Sequence, residues 1–434
     1  MSLASTTTNK PRGEGLTYLE QHALWDGVRE FGLDLPTKLC EALGNPQDQY
    51  KTLHVAGTNG KGSVSAMLAA VFNALGCKVG QFTSPHLIDP TERCVVGGKP
   101  CDAERFDSAL LEVKRAAETC GVDPSFFEIT TAASFVEFGR REVDYAVIEV
   151  GLGGRLDATN VLSKPEASVI TSIGLDHTAI LGDSLEKIAA EKAGIIKRGV
   201  PVYTGDLPQG ALKVVEQTAA ARGAEVVRIE RCDREFVAGC KLALRGKHQL
   251  DNASLVVRVA RSLGVADEVI RYGLECVRWP ARLEFFDGAG DDLSSVLLDA
   301  AHNEDGIKSV LTYLESPEAQ LENFDSLVFV VAVLSRKDWE KMCALLSEFA
   351  DRNSRVTKFI ATTCDNKTSV DPKLLQNLLP RADVIEDPLQ ALKQARSVGP
   401  RSLSVILGSS YLAGELRPQI TAEPFSTWSE RDCS

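Results

Sequence analysis

LHVAGTNGKGSVSAMLAAVF, residues 53–72, reads as an apolar run, a glycine-rich turn and a helical pattern in direct succession. A strand that ends in such a turn and continues as a helix aims successive backbone N–H groups at one point, where phosphate oxygens can sit. Gly57, Gly60 and Gly62 allow close approach and left-handed backbone, and Lys61 can reach the terminal phosphates of a nucleotide. The common phosphate loop is GxxxxGK[ST]. Here Val55 stands where its first glycine would be, and Gly62 separates Lys61 from Ser63. A plain strand-to-helix turn is the bland alternative, and a lysine inside the glycine cluster speaks against it.

On both sides of this stretch, short β-rich runs alternate with helical patterns: TLHVA, CKVGQFT, DYAVIEV and EASVITSIG. Residues 63–75 carry Val64, Met67, Leu68, Val71 and Leu75 on one face at the helical period, with Gly76 as a C-cap. Nearly continuous apolar strands with helical crossovers imply a parallel sheet covered on both faces. The alternation breaks at residues 275–292, ECVRWPARLEFFDGAGDD, which reads as a hinge. It restarts with SSVLLDA, SLVFVVAV, VTKFIATT, ADVIED and SLSVILG, separated by helices such as residues 338–349. The expected fold is α/β: a large phosphate-loop-type, doubly wound, mostly parallel sheet, followed by a smaller Rossmann-like unit of roughly 140 residues.

A chain of 434 residues suits two domains. Its net charge of −12 excludes a general binder of nucleic acid or of anionic membrane, which needs a positive surface. No run approaches the roughly 18 apolar residues of a membrane span, and the N-terminus has no apolar core of a secretory signal. The 11 cysteines form no CxxC pair, so reduced thiols and a cytoplasmic setting are expected. Residues 1–14 are polar and are expected to be disordered.

Further residues with chemistry stand at strand ends. Glu149 closes DYAVIEV, where a carboxylate faces the ligand crevice and can hold Mg²⁺; a solvated strand-end glutamate is the alternative. Arg155 and Asp157 follow in a glycine-rich loop and can touch substrate or each other. Asp176 and His177 follow EASVITSIG; Mg²⁺ prefers oxygen, so chemistry alone favours a catalytic or core histidine. Lys192 sits among Ala, Gly and Ile on a helix read over residues 183–196, where a snorkelling surface lysine is the commoner case. Asp299, His302 and Asn303 end the first strand beyond the hinge. Lys247, His248, Asn252, Arg278 and Arg282 lie near it, where a cleft between domains would converge.

HVAGTNGKGSV, FTSPHL, FFEITTAASF, VIEVGLGGRLDATN, GLDHTAILGDSLEKIAAEKAGIIK, DAAHN and GSSYLAGELR run in this order from residue 53 to 417. Together they resemble the folylpolyglutamate synthase/dihydrofolate synthase family of the Mur ligase superfamily. That resemblance implies ATP-binding by Gly57, Thr58, Asn59, Gly60, Lys61, Gly62 and Ser63, and nucleotide contacts from Asn252, Arg282 and Asp299. It implies Mg²⁺ on Ser84, Glu149 and His177, and a carbamylated Lys192 as an oxygen ligand near a second Mg²⁺. It places Lys61, Glu149, His177 and Lys192 in catalysis, and Ser125, Phe126, Phe127, Glu128, Leu156, Asp157 and Ala158 around a pterin. The implied units are residues 15–281, which bind ATP, and residues 282–434, a C-terminal ligase domain. The family's Pro-Gly-Arg near the hinge is Pro280-Ala281-Arg282 here, and residues 421–434 have no matching role.

The implied activity is ATP-dependent amide formation between L-glutamate and dihydropteroate, the γ-carboxylate of a folate, or both, by a monomer. Three alternatives remain at this stage. One is a Mur-type ligase for another carboxylate. Another is a phosphate-loop nucleotide switch, although the nearest match to its guanine-reading NKxD motif is DNKTSV at residues 365–370. The third is a simple phosphate-loop kinase.

Overall fold

The computed structural model describes residues 13–22, 32–288 and 293–429. Residues 1–12 lie outside them, so the expected N-terminal disorder falls there, and a helix, Glu14–Gln21, starts at the end of that segment. Among the described residues, fourteen strands form two sheets. The first contains β1 (Lys51–Ala56), β2 (Val79–Phe82), β3 (Cys94–Val96), β4 (Lys99–Pro100), β5 (Tyr145–Glu149), β6 (Ala167–Ile170), β7 (Val202–Thr204) and β8 (Val226–Arg228). Their order is β4-β3-β2-β5-β1-β6-β7-β8. From β2 to β8 every pairing is parallel, and β3 and β4 add an antiparallel edge.

The second sheet contains β9 (Glu284–Phe286), β10 (Ser295–Leu298), β11 (Ser326–Val331), β12 (Val356–Ala361), β13 (Ala382–Val384) and β14 (Ser402–Leu407). Their order is β13-β12-β11-β14-β10-β9, parallel except for β9. Both sheets are thus doubly wound: the winding reverses at β1 in the first, and in the second the chain runs outward from β10 to β13 and turns back to set β14 between β11 and β10. In such sheets the crevice for ligands opens at the carboxyl ends of the strands.

The strands are apolar because both faces are covered: Leu53, Val55, Val147, Ile148, Val169 and Ile170 are buried. Helix Lys61–Ala74 departs from the one-sided pattern expected of it. Every residue from Ser63 to Asn73 is buried, whereas Leu75 is 44% exposed. The helix lies between β1 and β5 on one side and helices His248–Ser262 and Asp267–Cys276 on the other, so no face of its middle meets water. Burying Met67, Leu68, Val71 and Phe72 contributes about 2 kcal/mol apiece to holding the phosphate loop on the sheet. The helix expected over residues 183–196 is shorter, Leu185–Ala193, because the Ser184 hydroxyl caps it at the backbone N–H of Lys187.

The segment read as a hinge contains β9, which reaches across to pair with β10. Ala281 adopts the left-handed conformation at φ 55°, as Leu283 does at φ 47°. An L side chain pays roughly 1 kcal/mol for that conformation. Alongside runs the C-terminal segment. Val277 pairs with Trp428, Arg278 N–H donates to Thr427 O at 2.9 Å, and Thr427 N–H donates to Gly98 O at 2.9 Å on the β3–β4 turn. Nine of the described cysteines carry free thiols; Cys276 is disulfide-bonded. No helix among the described residues is long and apolar enough to cross a membrane.

Candidate functional site

β1 ends in the glycine-rich loop, and that loop is sewn to the segment following β6. Thr58 N–H donates to Ser172 O at 2.8 Å, and the Thr58 hydroxyl donates to Gly174 O at 3.1 Å. Asn59 N–H donates to Ser172 Oγ at 3.0 Å, and Thr171 Oγ1 donates to Asn59 O at 2.6 Å. Gly60 takes φ 85°, and a Cβ there would lie 2.5 Å from Asn252 Oδ1. These bonds fix the loop so that the first turn of helix Lys61–Ala74 opens on the crevice with its unpaired N–H groups. Ser63 is buried and accepts from Gln249 Nε2 at 3.3 Å, and Gln249 in turn accepts from Asn252 Nδ2 at 2.9 Å.

Two lysines meet at one carbonyl. Lys61 Nζ donates to Gly57 O at 3.1 Å and Thr58 O at 3.2 Å; Lys192 Nζ donates to Gly57 O at 2.8 Å. Desolvation draws the Lys61 pKa below the usual lysine value, against the pull of Glu149 and Asp176. Lys192 is buried, not a surface lysine, and desolvation with the Lys61 charge beside it brings its pKa down to about 7.

Glu149 ends β5 and is buried as well, not solvated. Its Oε2 accepts from Ser84 N–H at 3.1 Å, which brings the ends of β2 and β5 together. Burial pushes its carboxyl up to about 7, opposed by Lys61, the Ser84 N–H and Arg282. His177 sits in the left-handed region at φ 50°, and its Nε2 is 3.8 Å from Asp176 Oδ2. Desolvation in the cleft, partly offset by Asp176, takes its pKa down to about 4 and leaves a neutral imidazole at neutral pH. Thus Lys61, Ser84, Glu149, His177 and Lys192 all lie at the carboxyl ends of β1, β2, β5 and β6 or pack against the loops there.

From the second sheet, Asp299 follows β10. Its carboxylate accepts from Leu283 N–H at 2.8 Å and Ala301 N–H at 2.7 Å, and burial raises its pKa against the neighbouring Arg282. The Arg282 charge also reaches Lys61, Glu149 and His302. Polar contacts then cross between the halves. Asn303 Nδ2 donates to Asn59 Oδ1 at 3.2 Å and Asp176 Oδ2 at 3.3 Å, and Asn59 Nδ2 donates to Asp305 Oδ2 at 3.4 Å. Lys337 Nζ sits 3.1 Å from Asp176 Oδ1. Burial alone would raise the Asp176 pKa, but Lys337 and His177 hold it well below the usual carboxylate range. Lys337 escapes a reading of the sequence, because SRKDWEK looks like any solvated charge run, and Asp305 is passed over beside Asp299, His302 and Asn303.

The segments expected around a pterin lie on the β2–β5 side, and their polar side chains serve the fold. Ser125 and Glu128 form a capping box on helix Phe126–Arg140, with the Ser125 hydroxyl donating to Glu128 Oε2 at 2.7 Å. Asp157 accepts from Leu152 N–H at 2.9 Å and from the hydroxyl and N–H of Thr159 at 2.5 and 3.0 Å. Arg155 pairs with Glu191 at 2.8 Å, so it and Asp157 do not meet each other. The apolar members differ in placement. Phe127 packs edge-on to Phe82, Ala158 is buried, and Leu156 lines a small cleft with Leu152 and Ile180. The Phe126 ring lies under the Arg93 guanidinium at 5.1 Å; Arg93 Nε donates to His86 Nδ1 at 2.9 Å, and its charge is felt by Glu149.

Residues 55–260 match the Mur ligase middle domain. The dihydrofolate synthase/folylpolyglutamate synthase of Bacillus subtilis is 31% identical, covering 90% of this chain and 95% of its own. The folylpolyglutamate synthase of Lacticaseibacillus casei is 32% identical, covering 87% and 92%. Among solved structures, the Mycobacterium tuberculosis folylpolyglutamate synthase complexed with ADP superposes with a TM-score of 0.79 at 29% identity, covering 94% of this chain and 98% of the other.

Proposed function

The chain belongs to the folylpolyglutamate synthase/dihydrofolate synthase family of ATP-dependent ligases, and on that premise we propose that it adds L-glutamate both to dihydropteroate and to the γ-carboxylate of tetrahydrofolate. The observation that carries this reading is the convergence of Lys61, Glu149 and His177 with Arg282, Asp299 and Lys337 on one crevice between two sheets. A carboxylate is a poor electrophile. The carboxylate oxygen of the pterin substrate attacks the γ-phosphorus of ATP, the bond to the bridging oxygen breaks, and ADP leaves. The glutamate amine then attacks the acyl phosphate, loses a proton, and inorganic phosphate departs through a tetrahedral intermediate. Such steps depend on positioning and charge neutralisation more than on a protein nucleophile.

Each group has a part in that scheme. The N–H groups of residues 57–63 and the Lys61 ammonium hold the phosphates and take up the charge that develops on them. Asn252, Arg282 and Asp299 hold the remainder of the nucleotide. Phe126, Phe127, Leu156 and Ala158 would meet the pterin with apolar surface, while Ser125, Glu128 and Asp157 shape its pocket through their caps. Residues 15–281 supply the floor and residues 282–434 the roof, so approach of the two excludes water from the acyl phosphate. The proposed enzyme is a cytoplasmic monomer, although the Cys276 disulfide departs from the fully reduced thiols expected of that setting.

Ser84, Glu149 and His177 fit Mg²⁺: Glu149 is a buried carboxylate without an ion pair among the described residues, and His177 is a neutral imidazole with an available lone pair. Mg²⁺, when bound, would neutralise charge on the transferring phosphoryl group. Lys192 fits carbamylation, because a buried amine with a pKa of about 7 has a large neutral fraction able to add CO₂.

The test is direct. Purified protein with ATP, Mg²⁺, L-glutamate and either dihydropteroate or tetrahydrofolate should release ADP and phosphate and form a glutamylated product, and Lys61→Ala should abolish both. Product with only one pterin would reduce the reading to a single activity, and product with neither would overturn it.

A further inference from the structure

The glycine between Lys61 and Ser63 has a neighbour that no motif suggests. A Cβ on Gly62 would lie 2.9 Å from Trp279 Cζ2 and 3.2 Å from Trp279 Cε2 and Nε1. The indole therefore occupies the volume that a side chain at position 62 would need, and it packs against the backbone of the first helical turn. Trp279 comes from the linker between the halves, far from the loop in sequence. Its own position is braced by Phe425, whose ring meets it edge-on at a centroid distance of 6.1 Å and an angle of 73°.

The brace is itself fixed. Besides the Val277–Trp428 pairing and the backbone bonds through Thr427, Ser426 Oγ donates to Gly98 O at 3.1 Å. Arg278 pairs with Glu423 at 3.5 Å, and Arg417 NH1 donates to Glu423 O at 3.0 Å. Thr427 is buried between these partners. A segment at the far end of the chain thus bears on the phosphate loop through one indole ring.

We propose that Trp279 is a positioning residue of the nucleotide site: braced by Phe425, it holds the first turn of helix Lys61–Ala74 in place, and Gly62 is required because the indole fills its side-chain space. This rests on the reading of residues 57–63 as the ATP-phosphate loop. Displacing the ring frees the turn that carries the Lys61 ammonium and the N–H donors, so nucleotide binding weakens. The effect falls on the nucleotide, whose phosphates this turn is proposed to hold.

The test is a double-mutant cycle in the full chain, with ADP affinity by calorimetry and steady-state kinetics. Trp279→Ala should weaken ADP binding and raise the KM for ATP by about ten-fold or more, with kcat at saturating ATP and the KM for glutamate changed less than about three-fold. Trp279→Phe should restore most of the affinity, and Phe425→Ala should show a smaller loss of the same kind. Gly62→Ala should lose at least as much as Trp279→Ala, and the pair together should lose no more than the worse single variant. Melting curves identify any variant that fails to fold, and Phe425→Ala and Trp279→Phe then carry the test. The inference is overturned if Trp279→Ala binds ADP as wild type does, if glutamate and ATP constants move together, or if the Gly62 and Trp279 losses simply add. Wild-type protein that binds no ADP would instead overturn the phosphate-loop reading beneath it.

Discussion

The two halves of the molecule meet along two seams of different chemistry. Over the crevice the seam is polar: Lys337 on Asp176, and Asn303 and Asp305 on Asn59. At the linker it is ring packing joined to backbone pairing: Phe425 on Trp279, with Thr427 hydrogen-bonded to Arg278 and Gly98. Charged contacts at an interface exchange water for partner with little net change, and salt screens them. Apolar contacts lose the full transfer free energy when opened. The first kind suits a surface that parts and rejoins in each cycle. The second suits a pivot that stays together.

The largest expected effect tests what the polar seam covers. Lys61→Ala should lower kcat by about 10² or more at saturating ATP, because a charge-stabilising donor is lost. A loss confined to ATP affinity would place Lys61 in binding alone and blur the contrast with Trp279. Next, Lys337→Ala should cut kcat/KM about ten-fold with little change in thermal midpoint, since Asp176 regains water once the halves part. Asp176→Asn should match it, and the double variant should be no worse than either. Rising ionic strength should slow the wild type and leave these variants nearly insensitive. If Lys337→Ala instead melts several degrees lower at unchanged turnover, the polar seam is a fixed structural contact and the comparison fails.

The linker seam should answer in the opposite sense. Phe425→Ala should destabilise by about 1–2 kcal/mol, a half-buried aromatic lost, with kcat at saturating ATP nearly intact in the ligase assay. Another effect, of a different kind, lies in the floor beneath both seams. Lys192 has its folded pKa lowered to about 7 from the ordinary 10.5. Between those values the unfolded chain binds the proton and the folded chain does not, so stability rises with pH across that window. Below about 7 the penalty of burying the charge is fully felt. Thermal midpoints between pH 6 and 9 should therefore climb in the wild type and flatten in Lys192→Met; equal slopes would show that Lys192 is solvated in solution.

Much of this was legible because it is local. A strand, a glycine turn and a helix adjacent in sequence identify the phosphate loop, and the long apolar strands β1, β5, β11 and β14 stand out by their composition. β7 and β8 have three residues each, too few for any period to show. Leu75 fits the helical period of residues 61–74 yet is exposed, because it follows the last buried turn and helices cover the remaining faces. Lys337 meets Asp176 only after the chain folds back over 161 residues, and no spacing rule reaches that far. The capping role of Ser125 and Glu128 was available, since S-x-x-E before an apolar run marks a helix start. Trp279 read only as part of a hinge, because its partner is an absence: the missing side chain of Gly62.

The capped segments near the pterin side carry a consequence for engineering. Ser125, Glu128 and Asp157 are committed to holding up a helix and a turn, so substitution at these positions unfolds local structure before it retunes a preference. Phe126 and Ala158 are buried, so of the apolar members only Phe127 and Leu156 can change without disturbing the core. A change of preference engineered at these proposed positions would therefore run through apolar shape.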